Sequence, residues 1–146
     1  MLRQFLVGGG VSLVNITIHA LIMTLVVRVA QSRHARAYAH PSLHLIAVMI
    51  PTMTVFMITH TLEVVVWAAA YGLVDAAPDG ADHVYFAFVN YATLGYGDIT
   101  PVARWRLLGP ITAMNGALLF GWSTAVIFEV LRKVMARGSE TSATDG

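Results

Sequence analysis

Three long apolar blocks, separated by short charged stretches, leave few architectures open to this chain. The first runs over Gln4–Val27 between Arg3 and Arg28, and the second over about Leu43–Val74 with a single acid, Glu63. The third runs over Leu107–Phe128, between Arg106 and Glu129. Each exceeds the ~20 residues that a helix needs to cross the hydrocarbon core of a bilayer. The 146 residues are 57% apolar and 12% charged, a charge content about half that of an ordinary soluble domain. A soluble fold of this size has too much surface per volume to hide so many apolar side chains. The blocks therefore predict an all-α membrane protein with three transmembrane helices. A net charge of +1 and no basic aromatic patch give no reason to expect a nucleic-acid partner. Absence of cysteine excludes disulfides and thiolate metal sites.

Basic residues predict the orientation. Arg28, Arg33 and Arg36 border the first connection, and Arg132, Lys133 and Arg137 follow the third block. With three spans these six fall on one side, against Arg3, Arg104 and Arg106 on the other. The expected protein is multi-pass in the cell membrane, with its N-terminus outside and its C-terminus cytoplasmic. The first block could instead be a cleaved signal peptide, but its end, VVRVAQS, lacks a small-x-small cleavage pattern. A helix lying along the interface is the other alternative for that block.

Between the second and third blocks lie an acidic Pro/Gly loop, DAAPDGADH, and an aromatic run, HVYFAFVNYA, too short to span. YATLGYGDITP (91–101) follows. A short helix, an irregular segment and a return to the same side form the layout of a re-entrant loop. Irregular backbone at membrane depth survives only where it is buried in protein or lines a water-filled path. Gly95 and Gly97 can take backbone angles closed to other residues, which lets successive carbonyls turn the same way. Such a row of carbonyls can replace the water shell of a bare cation.

Thr93-Leu94-Gly95-Tyr96-Gly97-Asp98 resembles the T-V-G-Y-G-D selectivity filter of the potassium channel pore-domain family. The resemblance extends over roughly residues 44–134. It implies ion sites made by the carbonyls of Thr93, Leu94, Gly95 and Tyr96 and by the Thr93 hydroxyl. It also implies that Tyr96 is braced by the pore-helix aromatics Tyr85, Phe86 and Phe88, that Asp98 stands at the outer mouth, and that four copies surround one pore. Two positions depart from the family pattern. Ala92 stands where many members have a second threonine, and Val89 where several have a glutamate bracing the filter aspartate.

Glu63, with His60 three residues before it on the same helical face, is an ionisable group at membrane depth and a functional candidate on that ground. The expected reading is a structural one, a neutral, protonated carboxyl tied to neighbouring backbone or to His60, since burial disfavours the charged form. The functional alternative is a bond behind the pore helix, in place of the brace missing at Val89. Gly116 and Gly121 resemble inner-helix glycines that let family pores bend, or they serve plain small-residue packing. Pro110 falls in a first helical turn, where proline is tolerated. Glu129 is expected to pair with Arg132 and Lys133 one turn on. The six histidines show no metal-ligand spacing with acids, and His40–His44 lacks the glutamate of a zinc-protease helix.

The expected organisation is an N-terminal transmembrane helix (1–30), a cytoplasmic linker (31–43), a helix–pore loop–helix domain (44–134) and a disordered tail (135–146). The expected function is that of a potassium-selective channel subunit assembled as a homotetramer, with no enzymatic activity. Its partners would be itself, the bilayer and K+, with no cofactor beyond the permeant ion. A weakly selective cation pore is the nearer alternative. A membrane transporter or enzyme using Glu63 with His60 is the more distant one.

Overall fold

A computed structural model describes residues 1–33 and 41–144. Among the described residues the chain forms four α-helices: α1 (Leu2–Arg33), α2 (Pro41–Val74), α3 (His83–Tyr91) and α4 (Leu108–Thr144). One turn of 3-10 helix, Ala103–Trp105, precedes α4. Among the described residues three stretches are long and apolar enough to cross a membrane: Leu2–Val29, Leu43–Val74 and Ala103–Met135. At a rise of about 1.5 Å per residue, each exceeds the roughly 30 Å hydrocarbon core. The nine residues of α3 reach less than half that distance.

Local chemistry sets the helix ends that matter. Asp82 caps α3, its carboxylate accepting from the backbone of Val84 at 2.9 Å and Tyr85 at 3.1 Å. These are amides that the first turn leaves without an intrahelical partner. Gln4 of α1 accepts from the Leu107 amide at 2.8 Å, just ahead of α4, and the Arg3 guanidinium lies 5.0 Å from the centre of the buried Trp105 ring. These contacts place the start of α1 beside the start of α4. The Val102 amide donates to Ala76 at 2.9 Å, so the end of α2 lies at this same end of the bundle.

The main core sits here. Trp67 and Tyr71 of α2, Phe86 and Tyr91 of α3, and Trp105, Leu108 and Ile111 around the start of α4 are buried together. Tyr71 rests on Phe86 with ring centres 4.9 Å apart and shares a 2.6 Å bond with Thr112. The far ends of the spans hold only small apolar clusters, such as Val48 with Val130 and Val134. Many large apolar side chains along the helices face outward, among them Leu6, Leu13, Leu21 and Leu118. That is the surface expected of helices solvated by lipid.

Two differences from the sequence reading concern boundaries. α4 continues to Thr144, so most of the segment expected to be a disordered tail is helical; apart from Gly138, residues 135–144 contain no strong helix breaker. The expected linker at 31–43 is shortened at both ends, since α1 reaches Arg33 and α2 starts at Pro41, proline being well suited to a first helical position. The remainder of that linker, with Arg36 and His40, lies outside the described residues.

Candidate functional site

The loop that follows α3 has an unusual backbone. Thr93, Gly95 and Gly97 have φ of +58°, +62° and +78°, so every second residue is left-handed. Glycine takes such angles freely. A β-branched threonine does so only under constraint, at a cost of order 1–3 kcal/mol. The constraint is visible in the end of α3, where Thr93 donates to the Asn90 carbonyl at 3.0 Å and Leu94 to the Val89 carbonyl at 2.9 Å. These bonds turn the chain sharply out of the helix. Beyond them the carbonyls of Thr93, Leu94, Gly95 and Tyr96 meet no protein donor among the described residues. The whole stretch from Thr93 to Asp98 is exposed, with Leu94 at 53% and Tyr96 at 66%.

The aromatic residues of α3 divide their work. Tyr85 donates its hydroxyl to Asp98 at 2.6 Å, and the Ile99 amide donates to the other carboxylate oxygen at 3.0 Å. The Tyr85 bond holds the Asp98 carboxyl below its ordinary range, and the same bond pushes the Tyr85 phenol up. Phe86 faces Tyr71 of α2 and anchors the helix to the core. Phe88 is exposed. Val89, where a glutamate brace is absent, is buried.

Behind α3 lies a largely buried polar cluster, with only His60 of its two histidines partly exposed. Glu63 is completely buried. One carboxylate oxygen meets His19 Nδ1 of α1 at 2.8 Å; the other meets His60 Nδ1 at 3.0 Å and accepts the Tyr91 hydroxyl. Tyr91 oxygen is also 2.9 Å from His60 Nδ1. On the far side of the two imidazoles, Ser123 Oγ of α4 stands 3.0 Å from His60 Nε2 and 3.4 Å from His19 Nε2. One turn away, Asn15 of α1 donates to the Glu63 carbonyl at 3.1 Å and to Asn115 Oδ1 at 3.2 Å, which also accepts from Trp67 at 3.0 Å. All four helices are thus joined through polar groups that a membrane interior would otherwise penalise.

A family described as ion channel matches residues 43–133. The match covers more than half of the chain. The chain belongs to the ion channel family. No curated protein and no solved structure matches it. Within the matched region the channel carries α2, α3, the exposed loop and most of α4; α1 is an addition, yet it supplies His19 and Asn15 to the cluster.

The two glycines of α4 have different surroundings. A Cβ on Gly116 would lie 2.1 Å from the Tyr91 carbonyl oxygen, whereas one on Gly121 would meet nothing within 4 Å. Gly116 therefore lets α4 touch the end of α3. Glu129 pairs with Arg132 at 2.8 Å and Lys133 at 3.0 Å. The histidines, which show no ligand spacing along the sequence, do converge in space: His19, His60 and Glu63 bring potential ligand atoms within 4.8 Å of one another. Linear spacing could not reveal this, because His19 and Glu63 are 44 residues apart on different helices. Sequence reasoning also passed over Asn15, Asn115, Ser123 and Tyr91. Asn15 and Asn115 carried a usable signal, as amides inside apolar spans.

Proposed function

We propose that the chain is one subunit of a potassium-selective channel whose ion sites are the carbonyls of Thr93, Leu94, Gly95 and Tyr96 with the Thr93 hydroxyl. The observation that carries this reading is the alternation of left-handed residues at Thr93, Gly95 and Gly97 along four carbonyls that no described donor occupies. Alternating hand along an extended backbone turns successive carbonyls to one side, and such a ladder can take the place of a cation's hydration shell. Neutral carbonyl ligands in series favour an ion with a low dehydration cost, which K+ has relative to Na+.

A single chain gives one wall of such a path. The exposure of the whole loop, with Leu94 and Tyr96 uncovered, supports assembly of four copies around it as a homotetramer. In that assembly α3 is the re-entrant pore helix, and Asp98, held by Tyr85, lies at the outer mouth. Tyr85 bonds Asp98 on the exposed side, so a brace on the aspartate exists without an acid at position 89. Glu63 reaches the same pore helix from behind through Tyr91. The basic flanks support an orientation with the N-terminus outside and the C-terminus cytoplasmic.

The test is the reversal potential of purified protein in planar bilayers under opposed potassium and sodium gradients. Potassium should be preferred at least tenfold, equivalent to about 1.4 kcal/mol. A reversal potential set equally by both ions would leave a weakly selective cation pore, and no conductance from tetramers would remove the channel reading altogether.

A further inference from the structure

We infer that His19, His60 and Glu63 form a binding site for a divalent transition-metal ion of the Zn2+ type, which clips α1 to α2 directly behind the pore helix. Three potential ligands converge there: His19 Nδ1, His60 Nδ1 and the Glu63 carboxylate. Two imidazoles and one carboxylate make a common zinc donor set, with the fourth position left for another oxygen. Tyr91 places its hydroxyl oxygen 2.9 Å from His60 Nδ1 and against the carboxylate. The two His–Glu separations, 2.8 and 3.0 Å, are a few tenths below the ~3.3 Å that ligand atoms adopt around a tetrahedral ion with bonds near 2.0–2.1 Å. Small side-chain rotations open that gap.

Proximity alone would not favour an ion over hydrogen bonds. The far nitrogens do. Without an ion, an ionised Glu63 draws both Nδ1 protons toward it, because a carboxylate only accepts. Two neutral rings then turn both Nε2 lone pairs toward Ser123, 3.0 and 3.4 Å away. One hydroxyl has one proton, so one nitrogen lacks a donor. A protonated Glu63 would instead donate to one Nδ1 and close the network, and that arrangement is the rival the titration tests. With an ion, the tautomers reverse. Both Nδ1 lone pairs and the carboxylate ligate, both Nε2–H groups donate, and the Ser123 oxygen has two lone pairs to receive them. Ligating histidines commonly hand their other N–H to such an outer partner, which fixes the tautomer. Ser123 on α4 is placed for that purpose toward both rings at once.

The assignment does not depend on what the pore conducts, and its test reads no current. Chelator-stripped full-length protein in detergent micelles is titrated with Co2+, a spectroscopic stand-in, and then with Zn2+. Wild type should bind one Co2+ per chain with the intense visible absorption of a tetrahedral site, and Zn2+ should bleach it stoichiometrically. Ser123→Ala, which keeps all three ligands, should bind 10- to 100-fold more weakly. His19→Gln and His60→Gln should abolish the tetrahedral spectrum, and His83→Gln, outside the cluster, should not change it. Folded wild type that develops no tetrahedral spectrum overturns the site, leaving the network closed by a protonated Glu63 in its place. Binding that survives both His19→Gln and Ser123→Ala overturns it as well, because the ion would then sit elsewhere.

Discussion

Gly116→Ala tests whether α3 is held by direct backbone contact with α4. The new methyl would stand 2.1 Å from the Tyr91 carbonyl oxygen, 3.0 Å from its carbon and 3.2 Å from the ring. Ordinary contact begins at 3.4 Å, so α3 and α4 must separate by roughly the difference between 2.1 and 3.4 Å. Neither side yields easily. The obstructing atom is backbone, and the neighbouring Asn115 is pinned to Asn15 at 3.2 Å and to Trp67 at 3.0 Å. Overpacking of a closed core costs about 1–3 kcal/mol, and a rigid backbone obstacle places this substitution at the upper end. About 3 kcal/mol per chain is roughly a hundredfold in the folding equilibrium. Tyr91 is two residues from Thr93, so displacement of the end of α3 should also distort the loop. The assay is reversible unfolding in mixed micelles, paired with potassium flux from vesicles. Gly121→Ala, with nothing within 4 Å, is the stability control and should be neutral. A Gly116→Ala protein that unfolds within about 0.5 kcal/mol of wild type and shows the ion flux of wild type would refute the contact.

Two further outcomes follow from the site. Tyr91→Phe removes the hydroxyl that meets both Glu63 and His60 and should cost about 1–3 kcal/mol for the buried groups left short of a partner; shortened open times with intact oligomers would accompany it, and unchanged open times would make Glu63 a bystander to the pore. Tyr85→Phe tests the outer brace by pH. Because the Asp98 carboxyl is depressed in the fold chiefly by the Tyr85 bond, its contribution is present at neutral pH and is lost as pH falls through that depressed value. Without the hydroxyl, the acid-induced fall in conductance should begin at higher pH, and coincident pH profiles for the two proteins would refute the brace.

The parts of this protein legible in its sequence are those encoded locally. Apolar blocks longer than a bilayer declare helices because the spacing of charges along the chain is itself the signal, and Pro110 falls in the first turn of α4, where proline is tolerated. Thr93 to Asp98 is legible because one short peptide holds every group its backbone needs. Glu63 could be singled out as an acid at membrane depth, and His60 by lying one turn before it. Boundaries were less secure where nothing local opposed continuation, as in the helical stretch between Met135 and Thr144.

The rest of the cluster was hidden because its members are related only through packing. His19 meets Glu63 across 44 residues and Ser123 meets His19 across 104, and no periodicity along one helix specifies which face of another it will touch. Tyr91 illustrates the point best. In sequence it is one more aromatic in HVYFAFVNY; in the fold its hydroxyl reaches Glu63 and its carbonyl lies against Gly116. Both contacts act on the last turn before the loop, one polar and one steric, from α2 and α4 in turn. Thr93 stands at a strained φ of +58° two residues later, and strain of that kind persists only where the surroundings over-determine it. The largely buried cluster and the glycine contact are those surroundings, so a loop readable from six residues depends for its shape on side chains spread over four helices.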